Sequence, residues 1–135
     1  IDVATFNWWK TQSQEAQQQL KPSNDDISIQ DLNQRLLDNY NFKEVKHVWT
    51  RGNTFDPIFL ENIFKQFGQS NVHDWWKIRD TRSWLDAMLY GTPFKNSFMP
   101  EDLDIDFILH DPQHDIAVDV MRMQIVVRTI FYNKN

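Results

Sequence analysis

Two turns in this chain each deliver a carboxylate to the start of a helix, and this pattern narrows the possible folds most. Arg51-Gly-Asn-Thr-Phe-Asp56 closes an apolar run and is followed by Pro57. Proline suits the first helical position, because the amide it lacks would be unsatisfied there anyway. His110-Asp-Pro-Gln-His-Asp115 places an imidazole five residues before a second carboxylate, again at a helix start. Two hard oxygen ligands and one imidazole are the groups needed to bind magnesium and make a water molecule nucleophilic. The chain has three glycines, too few for phosphate-cradling loops of the P-loop or Rossmann type.

At 135 residues, with 41% apolar and 14% aromatic side chains, the sequence predicts one domain with a real core. A net charge of −5 argues against a large basic nucleic-acid surface. It leaves room for a small site that uses metal ions as its positive charge. The absence of cysteine excludes disulfides and thiolate zinc sites. No apolar run approaches the ~20 residues of a membrane span, and no signal peptide is visible. The expectation is a cytoplasmic protein without a membrane partner.

Periodicity predicts a helix over residues 5–20 capped by Thr5, and a second over 28–40 opened by Ser28. Val45–Thr50 reads as a strand, and Arg51-Gly-Asn as the turn into a helix ending near Gly68. Trp75–Ile78 reads as a second strand, with Asp80 capping the helix that carries Trp84, Leu85, Met88 and Leu89. Gly91–Asp106 has no clear period and is expected to be a mobile loop over a site. The last helix, from about Pro112 to Phe131, is apolar nearly all round and is expected to be largely buried. This order describes the second half of an α/β fold, with carboxylates at strand-to-helix turns, where open sheets place their sites.

Asn53-Thr-Phe-Asp56 resembles the second motif of the DEDD nucleases, and His110-x-x-x-x-Asp115 the third motif of the histidine-bearing DEDDh subgroup. That subgroup includes ribonuclease T, oligoribonuclease and polymerase proofreading subunits. The exonuclease A type of T-even bacteriophages is a closer match. The residues that carry this are Thr5-Phe-Asn-Trp-Trp-Lys-Thr-Gln-Ser13, Pro22-Ser-Asn-Asp-Asp-Ile-Ser28, Arg51 to Asp56, Trp76-Lys-Ile-Arg-Asp-Thr-Arg82, and Ala117 to Met123. The resemblance implies an RNase H-like exonuclease fold that releases nucleoside 5′-monophosphates from a 3′ end. It implies Asp56 and Asp115 as ligands of two Mg²⁺ or Mn²⁺ ions, and His110 as general base. Asn53 and Phe55 are the candidate substrate-side residues, offering a hydrogen bond and an apolar wall. The partner that the resemblance implies is the 3′ end of single-stranded DNA or RNA, with DNA slightly favoured, in a host cytoplasm if the chain is phage-encoded.

The pattern departs in one place. Such sites use an Asp-x-Glu on a first strand, and Asp2 is followed two positions later by Ala4. The expectation is an exonuclease domain over 1–135 that lacks its first antiparallel strands. The missing motif would come from an upstream segment or a partner chain, and this polypeptide alone would have little activity. Two other readings stand beside this one. One is a non-catalytic or split-domain nucleic-acid-binding fragment. The other is an all-helical HD-type phosphohydrolase, prompted by His110-Asp111 and His114-Asp115. Asp119 is expected to pair with Arg122 or Lys65, His114 to bond backbone, and Trp8 and Trp9 to form core and rim.

Overall fold

Parallel strands need a crossover of a dozen or more residues, and a helix is the usual one. In the computed structural model of the chain, strand β1 (Val48–Thr50) leads into helix α4 (Asp56–Gln66) and the chain returns as β2 (Ile78–Asp80). The strands pair in parallel, Val48 opposite Ile78 and Thr50 opposite Asp80. The other helices are α1 (Val3–Trp9), α2 (Gln14–Gln18), α3 (Ile29–Asn39), α5 (Thr81–Met88) and α6 (Pro112–Val127), which runs into a π-helical turn at Arg128–Tyr132. The described residues are 2–41, 43–68, 74–101, 103 and 106–132, residue 131 by its backbone alone. They form two compact units, Asp25–Asn96 and Ile1–Asn24 with Ser97–Asn135. Among them no helix is long and apolar enough to cross a membrane.

The Asp25–Asn96 unit is the α/β part. Ser28 caps α3 by accepting from the Asp31 amide at 3.0 Å, and its hydroxyl donates to the Asp31 carboxylate at 2.8 Å, a side-chain pair in place of the reciprocal bond to the cap amide. Phe64 of α4 and Leu85 of α5 are fully buried, with Leu89 beside them in the core. Each such side chain contributes roughly 1.5–3 kcal/mol by leaving water. The strand expected at Trp75–Ile78 is displaced. Trp75–Lys77 form a single 3₁₀ turn, closed by the Lys77 amide on the Asp74 carbonyl at 3.0 Å, so strand pairing begins at Ile78. Asp80 caps α5, accepting from the Arg82 amide and the Ser83 hydroxyl at 3.0 Å each.

In the other unit the helix expected over 5–20 is broken. Its N-cap is Asp2, which accepts from the amides of Ala4 and Thr5 and from the Thr5 hydroxyl at 2.6 Å; Thr5 is therefore inside α1. The Thr11 hydroxyl and the Gln12 amide group both donate to the Trp8 carbonyl, ending α1, and Ser13 caps α2 through the Ala16 amide. The final helix is not buried all round. Val118, Asp119, Arg122 and Val126 form its buried stripe, while Ile116 is 66% exposed and Val120 and Ile125 also face out.

The residues of the 91–106 segment are tethered where they are described. Thr92 bonds the Leu89 carbonyl through its amide and hydroxyl, and Asn96 donates to Asp86 at 2.8 Å. Farther on, Arg122 holds the Phe98 carbonyl through Nε at 2.6 Å and the Ser97 carbonyl through Nη2 at 3.2 Å. Residues 102, 104 and 105 lie outside the described residues.

Candidate functional site

Asp56 is the first residue of α4, and Phe55, which has no capping side chain, stands at the cap. Pro57 is therefore at the second helical position, one later than the sequence suggests, and it is buried. The Asp56 side chain is not spent on capping. No hydrogen bond joins it to another described residue. Partial desolvation raises its carboxyl above the ordinary carboxylate range, and the positive charge of Arg82 offsets part of that rise. A carboxylate placed in this way gains by acquiring a cation.

Asn53, three residues before Asp56, lines a cleft of about 500 Å³ with Pro57, Ile58, Glu61, Trp75, Trp76, Ile78 and Arg79. Asn53, Ile78 and Arg79 also line a second, shallower cleft with Trp49, Asp80, Ser83 and Trp84. Phe55 lines neither. It is 72% exposed and stacks on Phe59 with ring planes 7° apart. Of the two substrate-side candidates in this unit, Asn53 faces a cavity and Phe55 faces solvent. Trp75, Trp76 and Arg79 have no site role in the sequence pattern, although Trp76 and Arg79 stand in one of the segments that carry the resemblance. The signal was present, since two adjacent tryptophans ahead of a lysine and an arginine are unusual on a strand entry.

His110 and Asp115 lie in the other unit. The Asp111 amide bonds the Ile108 carbonyl at 3.2 Å, closing a turn in which His110 has φ 68°. That is the third position of a type II turn, where glycine is normal. A histidine there carries backbone strain that a glycine would not. The imidazole is half-buried and meets the edges of two indoles, with ring centres 5.0 Å from Trp8 and 5.7 Å from Trp9. Asp111 caps α6 through the amides of Gln113 and His114, leaving Asp115 half-buried in the first turn.

The neighbouring polar groups have structural duties. His114 accepts from the Ile108 amide at 3.0 Å through Nδ1, which puts its ring proton on Nε2. Asp119 pairs with Arg122 at 2.9 Å inside the unit, as expected. Lys65, the other candidate partner, pairs with Glu61 at 2.6 Å. No hydrogen bond or ion pair joins the Asp115 carboxylate to another described side chain. By donor type, Asp56 and Asp115 fit a hard divalent ion. Among the described residues no three His, Cys, Asp or Glu side chains come together.

Residues 1–119 match the profile of the family described as the 3′–5′ exoribonuclease Rv2179c-like domain. The chain belongs to this family. The Rv2179c-like match takes in Asn53, Asp56, His110 and Asp115. The exodeoxyribonuclease of Enterobacteria phage T4 is 28% identical over 142 aligned positions, covering 93% of this chain and 63% of the relative, so the chain spans under two thirds of the phage protein. No solved structure matches the chain significantly.

Proposed function

We propose that the chain carries the greater part of a metal-dependent 3′–5′ exonuclease domain of RNase H-like fold, acting on single-stranded nucleic acid. The observation that carries the reading is the family match over residues 1–119, which spans parts of both compact units and takes in Asn53, Phe55, Asp56, His110 and Asp115. A match of that extent supports treating the two units as parts of one domain.

In this reading Asp56 and Asp115 would be ligands of two divalent ions, magnesium or manganese, which would supply Lewis-acid stabilisation of the phosphoryl oxygens. His110 takes the proton of the attacking water, which an imidazole can do near neutral pH. Water attacks phosphorus, the bond to the 3′ oxygen of the preceding nucleotide breaks, and a nucleoside 5′-monophosphate leaves. The imidazole stands edge-on to Trp8 and Trp9, apolar neighbours on that side of the base. Asn53 contacts the terminal nucleotide, and Phe55 supplies an apolar wall from its exposed position. We place DNA ahead of RNA because the phage relative is an exodeoxyribonuclease; the family is one of exoribonuclease domains, so both substrates belong in the test.

A second reading rests on the sequence: no Asp-x-Glu occurs anywhere in these 135 residues. A split or non-catalytic nucleic-acid-binding domain would share the fold without turnover. The HD-type alternative needs an all-helical fold, and β1–β2 is a parallel sheet; its upstream histidine candidates are His47, in the run before β1, and His73, outside the described residues. The deciding experiment is digestion of 3′-labelled DNA and RNA oligomers by the full-length protein, with and without magnesium or manganese. Monophosphate release that stops in Asp56→Asn and Asp115→Asn supports the nuclease. Oligomer binding without release supports the second reading.

A further inference from the structure

The cleft beside Asp56 has features that the motif residues do not account for. Trp75 and Trp76 are 78% and 56% exposed, an uncommon state for two adjacent indoles. Their rings are held at right angles with centres 5.7 Å apart. Arg79 donates through Nη1 to the Trp76 carbonyl at 2.7 Å and to the Ile78 carbonyl at 2.8 Å. These two bonds tie the guanidinium to the backbone of the tryptophan turn. Asn53 adds an amide with both donor and acceptor edges, and Pro57 and Ile58 close the apolar floor. The carboxylate on this wall, Glu61, is neutralised in part by Lys65 at 2.6 Å, and Lys77 beside the indoles pairs with Asp74 at 3.4 Å.

Flat π-faces, a guanidinium, a side-chain amide and about 500 Å³ of space are the groups that take a nucleobase with little regard to its identity. A lipid or a protein helix would want an apolar groove without the amide and the cation. The location also fits, because Pro57 on the cleft wall adjoins Asp56, its Cα ~3.8 Å away. Resting on the exonuclease reading, we infer that this cleft is a nucleotide subsite. In it one base of the single-stranded substrate stacks on Trp75 or Trp76, with Asn53 and Arg79 engaging its polar edge and sugar-phosphate.

The test is binding of fluorescein-labelled single-stranded thymidylate and adenylate oligomers to the full-length protein in EDTA, followed by anisotropy. Trp75→Ala with Trp76→Ala should weaken binding by roughly 10-fold or more. The corresponding phenylalanine pair should restore most of it. Oligomers that carry abasic positions should bind the wild type and the alanine variant alike, because no base remains to stack. Trp75→Ala alone, at the more exposed position, keeps the test valid if the double variant folds poorly. Unchanged affinity, or an equal loss on intact and abasic oligomers, overturns the subsite. So does a change confined to sedimentation, which would make the face a contact between copies. Nuclease assays on the same variants separate the two proposals. Tryptophan-dependent binding without turnover leaves the subsite standing and sinks the exonuclease. Full turnover with unchanged KM and affinity does the reverse.

Discussion

Arg122 offers the sharpest test of the unit that holds His110. Its side chain is almost fully buried and makes the 2.9 Å pair with Asp119, the bonds to Phe98 and Ser97 carbonyls, and a 3.5 Å contact to the Met99 sulfur. Arg122→Met removes all of these and leaves a buried carboxylate without its guanidinium. Breaking one side of a buried pair costs about 3–5 kcal/mol. At roughly 4 °C per kcal/mol for a domain of this size, the Tm should fall by about 10–20 °C. Adding Asp119→Leu should recover roughly 2 kcal/mol or more, since a buried charge that has lost its guanidinium is removed. Recovery should stop short of wild type, because two carbonyls still lack a donor at about 1 kcal/mol each. Arg122→Lys should rescue poorly, since an ammonium cannot fork between a carboxylate and two carbonyls. Urea titrations read by circular dichroism give the energies, and hydrogen exchange at residues 97–99 should accelerate in step. A double variant no more stable than Arg122→Met would refute the reasoning, as would a loss under about 1 kcal/mol.

Other outcomes follow from the same geometry. His110→Ala in the full-length protein should lower turnover about 10²–10⁴-fold with metal affinity nearly unchanged, whereas Asp115→Ala should weaken metal binding; calorimetry with manganese and single-turnover assays separate the roles. His110→Gly should be more stable than His110→Ala by about 1 kcal/mol, because only glycine relaxes at φ 68°. Ser28→Ala should cost about 1 kcal/mol through loss of the α3 cap, measured as a shift in the urea midpoint. The Asp2 carboxyl is held below its ordinary pKa, chiefly by the Thr5 hydroxyl and then the Thr5 amide. A depressed folded pKa stabilises above the unfolded value and is lost as pH falls through the folded one, so α1 should fray only at strongly acidic pH; carboxyl NMR titration checks this.

Much of the α/β unit was legible because its signals are local. Ser28, Pro57 and Asp80 each act within one turn of their own backbone, so the starts of α3, α4 and α5 follow from the residues alone. The structural duties of His114 and Asp119 were legible for the same reason, both partners lying within six residues. The break between α1 and α2 was readable and missed. Ser13 is a cap residue three positions before Ala16, but no glycine or proline marks the interruption. Trp75–Lys77 looked like strand because aromatic residues favour strands, and two successive 3₁₀ hydrogen bonds outweighed that preference.

The sequence by itself determined the chemistry on offer: the carboxylates Asp56 and Asp115, the imidazole of His110, and a family whose profile spans them. Those depend on side-chain identity and spacing along one chain. Only the tertiary structure decided which face of an evenly apolar α6 is buried, because 3.6-residue periodicity is silent when apolar residues occupy every face. It also decided that Arg122 reaches back 23 to 25 residues to the segment at Ser97–Met99, and that Trp75, Trp76 and Arg79 gather with Asn53 around one cleft. Contacts between residues so far apart in sequence depend on how the elements pack, and no local pattern in the chain encodes them.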